Sequence, residues 1–328
     1  IYLLLIFSYV SFTSCEDFAL GEKFLQKPPS GDVTIDTIFS TAEYARRVLW
    51  YAYSKLPYGF STGYNNSTSM RVGSIESLTD LAQSYVGYAG ADKLYYPGLY
   101  NAGSEDESGG EDHATKYNMY ARDPWKGIRH AWVFINNVDR VPDMTAEEKL
   151  RLKAEAKITI AVQYSEMLRH YGALPIVDHA IMPEEMGLPE RATLQQTVDF
   201  ITRLLDEAIA CKELPWALPE DDLSNESGRM TGAAAMGLKL RVLLFVASPL
   251  FNSDEPYFPG EASDKLMTWF GGYSEQRWKD AAKAGEDFFK SWKQGGFYEL
   301  VQKETATKNT IRPVSYTHLR AHETRSNL

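Results

Sequence analysis

Cysteine is nearly absent: Cys15 and Cys211 are the only two in 328 residues. So few thiols exclude a disulfide-stapled scaffold, and no Cys-x-x-Cys or His-Glu-x-x-His spacing is present to hold a metal. Positive charge is also scarce, with 34 Lys and Arg against 44 Asp and Glu and a net charge of −10. That balance opposes nucleic-acid binding, which needs a basic footprint for the phosphates. Long apolar runs are missing too. Residues 1–10 are apolar but fall short of the ~20 needed to span a bilayer. The apolar stretch 231–248 is interrupted by Lys239 and Arg241. There is no Gly-x-Ser-x-Gly elbow and no phosphate-binding loop, so no cofactor is implied. The adjacent acids Asp221 and Asp222 sit in a polar turn and point apart, unlike a glycosidase pair.

What is present is ordinary globular composition, 44% hydrophobic and 24% charged. Aromatics are more unusual, with 20 tyrosines and 7 tryptophans. Tyr and Trp fill cores, but they also form flat platforms on which the apolar face of a sugar can stack. A neutral ligand such as a glycan fits the acidic balance.

The two ends fall outside the folded part. Residues 1–14 read as the end of a secretory signal, and Cys15 follows the small residues Ser11, Thr13 and Ser14 as in a lipoprotein. Cys15 is therefore the expected lipid anchor, and 15–36, with Gly21, Pro28, Pro29 and Gly31, reads as a tether. Residues 313–328 have no apolar period and resemble a translated sequencing adapter. His318 and His322 carry no meaning there, and removing Arg320, Arg325 and Glu323 leaves the net charge negative.

Between the ends the pattern is helical. The longest periodic stretch is 145–177. Thr145-Ala146-Glu147-Glu148 has capping-box spacing, and Leu150, Ala154, Ile158, Ala161, Tyr164, Leu168 and Tyr171 form one apolar stripe. Gly172 and Pro175 end it. A first helix opens at Ser40-Thr41-Ala42-Glu43, with Phe39 and Tyr44 placed as a staple and a stripe of Ala45, Val48, Leu49, Ala52, Tyr53 and Leu56. The second carries Trp125, Ile128, Trp132, Ile135 and Val138. The fourth starts at Thr193 with Gln196 in capping-box register, and its stripe is Leu194, Val198, Ile201, Leu205 and Ala208. Cys211 falls late in that helix. The fifth predicts Leu240, Leu243, Leu244 and Ala247 as its buried set. The sixth predicts Trp278, Ala281, Ala282, Gly285, Phe288, Phe289 and Trp292. Trp132 and Trp292, on apolar stripes, are expected in the core. His170 abuts a helix end, which suits a dipole role.

No strand alternates with these helices, so a parallel α/β sheet is excluded. Helices three to six begin at a near-regular interval, which suggests stacked helical hairpins of the tetratricopeptide kind.

Pattern fades from Tyr58 to Lys116, apart from a short helical pattern around 75–83. Tyr64, Tyr95, Tyr96 and Tyr100 crowd this excursion, with Arg71, Asp80 and Asn101 as polar partners. A long irregular excursion inside a compact domain is commonly functional, and this one is the expected ligand-binding surface. The acidic run 104–112 lacks the alternating spacing of a calcium loop.

Several phrases together resemble the SusD/RagB family of surface lipoproteins. They are Ala154-Glu155-Ala156-Lys157, Tyr171-Gly172-Ala173-Leu174-Pro175-Ile176-Val177, Asn136-Asn137 and Arg191-Ala192-Thr193. Gly228-Arg229-Met230-Thr231 and Ala247-Ser248-Pro249-Leu250-Phe251-Asn252 complete the set. The resemblance implies a mainly α fold, tetratricopeptide-like hairpins with an irregular loop-rich lobe, spanning 37–312. It implies a non-catalytic protein on the outside of the outer membrane, lipid-anchored at Cys15, which passes oligosaccharide to a SusC-like TonB-dependent transporter. A helical-repeat scaffold for protein assembly and a surface glycoside hydrolase are the alternatives.

Overall fold

The computed structural model describes residues 34–56, 80, 81, 83, 96–99, 123–181, 185, 187, 189–219 and 223–298. Nine α-helices follow one another within these residues: α1 (Ile35–Ile38), α2 (Ala42–Ser54), α3 (Asp123–Asn137), α4 (Ala146–Tyr171), α5 (Leu194–Ile209), α6 (Leu223–Glu226), α7 (Gly232–Ala247), α8 (Glu261–Asp264) and α9 (Glu275–Gly295). A 3-10 turn, Val138–Arg140, extends α3. The described residues contain no strand, only an isolated bridge between Pro175 and Arg191. None of their helices is long and apolar enough to cross a membrane.

The long helices pack as consecutive hairpins, α2 on α3, α4 on α5 and α7 on α9, with α3–α4 and α5–α7 contacts joining one hairpin to the next. This is the stacked architecture that the regular spacing predicts. Helix starts are set locally. Thr41, Thr145, Thr193, Thr231 and Ser274 each place a side-chain oxygen on a backbone amide of the first turn. Such a cap contributes about 1 kcal/mol over alanine. At Thr193 the reciprocal bond from Gln196 completes the capping box.

Helix α4 differs from its sequence reading. It is buried on most of its circumference, through Leu152, Ala156, Ile160 and Met167 as well as Ala154, Ile158, Ala161, Tyr164 and Leu168. The predicted stripe saw one seam, while the helix serves two, against α3 and α5. Leu150, at the start of the stripe, is 47% exposed because it precedes the packed zone. The expected capping box at Thr145 is half formed. Thr145 accepts the Glu148 amide at 3.2 Å, but the Glu148 carboxylate turns to Arg46 on α2 at 2.7 and 2.9 Å.

Other expectations shift by similar causes. Thr41, not Ser40, caps α2, and the staple fails because Phe39 enters the core while Tyr44 stays exposed. The five-residue α5 stripe is buried throughout, but Cys211 lies beyond the end of that helix. In α7 the buried set is Ala233, Ala235, Val242, Val246 and Ala247; Leu244 is exposed. In α9 only Ala281 and Ala284 are buried, and Trp292 is half-buried rather than in the core. Trp132 is buried and donates its indole N–H to the Val177 carbonyl at 2.9 Å. The first helix begins at Ile35, within the stretch read as tether. The short helical pattern at 75–83 and the acidic run at 104–112 lie mostly or wholly outside the described residues.

The two-seam burial of α4 makes its alanines sensitive to size. Replacing Ala161, fully buried between neighbours, by leucine is expected to destabilise the domain by about 1–3 kcal/mol, read from the urea midpoint. An unchanged midpoint would put Ala161 on an open surface.

Candidate functional site

The excursion predicted to bind ligand leaves the scaffold at the end of α2 and rejoins it at the start of α3. These two ends are held together. A Cβ added at Gly127 of α3 would sit 3.0 Å from the Lys55 side chain, 3.2 Å from the Gln163 amide and 3.5 Å from the Ala52 carbonyl, a fit that a larger residue could keep only if its neighbours gave way. Gln163 of α4, fully buried, donates its amide N–H to the Lys55 carbonyl at 2.6 Å. The Tyr51 ring stacks on His130 at 4.3 Å, and the Lys55 ammonium lies 5.3 Å from the centre of the same ring. The scaffold thus offers a closed, rigid base for residues 57–122.

Of the predicted ligand-binding residues, two fall within the described set. Tyr96 lies on the turn that includes Gly98 at φ +72°, and its ring is 44% exposed. Asp80 is exposed on another turn. Cys15, Tyr64, Arg71, Tyr95, Tyr100 and Asn101 lie outside the described residues. Tyr96 has the exposure that a stacking platform needs; no second predicted residue is brought to it among the described ones.

The phrases that resemble a known family turn out to have structural work. Tyr164, buried in α4, donates its hydroxyl to the Pro175 carbonyl at 2.9 Å and accepts the Val177 amide at 2.8 Å. Burial raises its pKa above the ordinary tyrosine value, which keeps the hydroxyl protonated and able to donate. Gly172 has φ +74°, and a side chain there would meet the Met267 carbonyl at 2.7 Å. The Ala173 amide donates to that same carbonyl at 2.8 Å. Arg191 donates to the Ala173 carbonyl at 2.8 Å and also to that of Tyr171. The segment 171–177 is thereby tied to α4, α5 and the α8–α9 connection.

The Gly228-Arg229-Met230-Thr231 phrase closes a second knot. Glu155 of α4 has no exposed surface. Its carboxylate accepts from Arg229 at 2.6 and 3.2 Å, from Arg151 at 3.0 Å and from the Tyr53 hydroxyl at 2.8 Å. Tyr53 in turn accepts the Met230 amide at 3.0 Å. Glu226 pairs with Arg229 at 2.5 Å and with Arg151, so two carboxylates face two guanidiniums. Arg229 also lies 5.3 Å from the Trp50 ring centre. Burial, then the Glu155 charge, raises the Tyr53 pKa far above its ordinary value. Burial pushes Glu226 up, but the Arg151 hydrogen bond and the Arg229 and Arg151 charges outweigh it and hold it below the usual carboxylate range. Glu155 accepts four hydrogen bonds, as many as its two oxygens have lone-pair sites, and both carboxylates cross-link separate segments of the chain.

Asn252 closes the third. It is 2% exposed, donates to the Ala247 and Ser274 carbonyls at 3.3 and 3.0 Å, and accepts from the Ser274 amide and Arg277 at 2.7 and 2.8 Å. A single amide thus fastens the end of α7 to the start of α9.

Elsewhere Cys211 sits 3.6 Å from the Leu150 carbonyl, and burial pushes its thiol up, as expected of an unreactive cysteine. His170 falls in the last turn of α4, where the dipole reading placed it. Among the described residues no cluster of His, Cys, Asp and Glu could hold a metal.

This hairpin stack is the SusD-like fold. A SusD-like carbohydrate-binding protein from Bacteroides fragilis superposes with a TM-score of 0.53 at 18% identity over 78% of this chain and 41% of that one. A SusD homolog from Bacteroides thetaiotaomicron gives 0.53 at 18% identity, covering 86% and 45%. A SusD superfamily protein from Parabacteroides distasonis gives 0.52 at 20%, covering 79% and 46%. The chain therefore spans less than half the length of these structures. No protein-family model and no curated protein matches the sequence.

The Glu155 knot makes two predictions. Glu155→Ala leaves Arg229 partly buried without its main partner and is expected to cost about 3–5 kcal/mol in urea unfolding; a loss comparable to a surface substitution would refute the knot. Because the Glu226 pKa is lower folded than unfolded, its contribution is complete above the ordinary value of 4.5 and fades as pH falls through the folded value. The urea midpoint should drop between about pH 5 and pH 3, and drop less in Glu226→Gln.

Proposed function

We propose that this chain is a non-catalytic glycan-binding lipoprotein of the SusD/RagB type, displayed on the outer face of the outer membrane. It binds oligosaccharide and passes it to a SusC-like TonB-dependent transporter. The observation that carries the reading is the SusD-like fold, shared with a protein named for carbohydrate binding. The exposed Tyr96 ring on the excursion between α2 and α3 supports it, because such a ring can stack on a sugar face. The net charge of −10 favours a neutral ligand over a phosphorylated one. Tyr64, Arg71, Asp80, Tyr95, Tyr100 and Asn101 complete the proposed surface, the rings stacking and the polar groups bonding hydroxyls. The anchor is Cys15, by the small residues that precede it.

Two measurements test this. Calorimetry of the chain against a polysaccharide panel should find a binder, and Tyr96→Ala should weaken it by about 0.5–1.5 kcal/mol, a few-fold to tenfold, at unchanged melting temperature. Loss of stability with binding intact would move Tyr96 into the packing and dissolve the site. For the anchor, Cys15→Ala should abolish acyl labelling and release the protein from the membrane fraction, whereas Cys211→Ala should change neither. Persistent labelling of the Cys15 variant would refute the lipid.

A further inference from the structure

The connection from α4 to α5, residues 172–193, is pinned at both stems. On one side Tyr164 accepts the Val177 amide, and Trp132 donates to the Val177 carbonyl. On the other, Arg191 donates to the carbonyls of Tyr171 and Ala173 and forms the isolated bridge with Pro175. Gln163, about two turns before the end of α4, meets Lys55 at the end of α2. The connection therefore leaves the scaffold at the end from which the excursion also departs.

Between these stems a histidine is held by two carboxylates. His179 Nδ1 lies 2.8 Å from Asp178 Oδ1, and Nε2 lies 2.8 Å from Glu185 Oε2, six residues further on. An ionised carboxylate only accepts hydrogen bonds, so both ring nitrogens must donate, and a neutral imidazole has a single N–H. The geometry thus contains one proton more than the neutral ring carries. Without that proton a nitrogen lone pair faces a carboxylate, and the attraction of the cation for both acids is lost as well. Arg203 of α5 acts on Asp178 from the scaffold side. The His179 side chain is 51% exposed, so it exchanges protons directly with solvent.

We infer that Asp178, His179 and Glu185 form a proton-operated clasp on this connection, closed while His179 is an imidazolium and released when it becomes neutral. Hydrogen bonds from Glu185 and then Asp178 raise the His179 pKa, and the His179 bond lowers that of Asp178. Because the His179 value is higher closed than open, its contribution is complete below the ordinary 6.5 and is lost as pH rises through the closed value. The Asp178 contribution is complete above the ordinary 3.8 and is lost as pH falls through its lower closed value. The clasp is therefore fully made between 3.8 and 6.5 and releases on the alkaline side of that window. All three side chains are 41–62% exposed, so solvent screens the pairs. Closure then changes the open fraction by a modest factor, about two- to fivefold. The inference rests on the geometry of the connection and is independent of any ligand.

Two measurements on the 328-residue chain test it. The His179 imidazole signals in NMR, assigned by their loss in His179→Gln, should titrate at higher pH in the parent chain than in Glu185→Gln. Thermolysin cleavage within 178–190 is divided at each pH by cleavage of a free peptide of that sequence. The ratio should rise about two- to fivefold from about pH 6 to about pH 8.5 as the clasp releases. His179→Gln lacks the clasp and loses no buried contact, so it should cleave at the faster ratio throughout and report any pH dependence of the remaining fold. An equal His179 pKa with and without the Glu185 carboxylate would overturn the inference. A cleavage ratio with the same pH dependence in His179→Gln as in the parent would overturn it equally, because the ion pairs would then hold nothing closed.

Discussion

A carboxylate without solvent at the middle of the longest helix is the constraint around which the first two hairpins are arranged. Two guanidiniums and a phenol reach Glu155 there from three separate segments. Tyr53 comes from α2, Arg151 from α4 itself and Arg229 from the loop that leads into α7. A buried charge tolerates no partial solution: removing one partner strands the others, so the segments must arrive together. That demand fixes the register of α2 against α4 and the point at which the chain turns into the third hairpin. Hydrophobic contacts supply most of the driving force but are forgiving of register. The Glu155 knot is not, and it converts a pile of amphipathic helices into one arrangement.

The same division explains the phrases that resemble the SusD/RagB family. Tyr164, Gly172, Arg191, Arg229 and Asn252 are spread over nearly ninety positions, roughly, in the sequence, yet each lies where one hairpin is tied to the next. Tyr164, Arg191 and Asn252 meet backbone groups that no helix satisfies internally, which is the accounting that buried amides and carbonyls require, while Arg229 meets the Glu155 and Glu226 carboxylates. Exchanging such a residue leaves a buried group without its partner, whereas volume-conserving exchange of an apolar residue is tolerated. A chain only 18–20% identical to its structural neighbours can in this way keep their fold.

Much of the architecture was legible in the sequence. The helix starts at Thr145 and Thr193 were read to the residue, and that of α2 one residue early, at Ser40 in place of Thr41, because a cap is a local event. All five residues read as the α5 stripe are buried, but the stripe missed Thr197, Phe200 and Leu204, which widen the buried face of a helix packed against both α4 and α7. Helix α4 was read as one-faced because a periodic stripe reports one seam, while its other buried positions mix Leu152, Ala156, Ile160 and Met167 with Thr159, Gln163 and Ser165, polar residues whose burial no hydropathy pattern announces. Glu155 was quoted as part of a phrase and not as a charge centre, since its partners lie far along the chain. The exposed Leu244, Trp278 and Phe289 were read as buried for the converse reason: apolar type and spacing record what a surface is made to meet, not whether it is met. The excursion proposed to bind ligand was legible only as tyrosine enrichment, which says what chemistry is available but not how the rings are set.

The close approach of Gly127 to Lys55 has an evolutionary consequence. With both ends of the excursion clamped side by side, the scaffold registers only that the connection closes, and the closure entropy of a flexible connection rises logarithmically with length, by about 0.6 kcal/mol for each doubling. Insertions, deletions and wholesale rewriting between these two points are therefore nearly neutral for the folding of the hairpins. The segment between these two points can be exchanged as a cassette while the helices beneath it stay as they are.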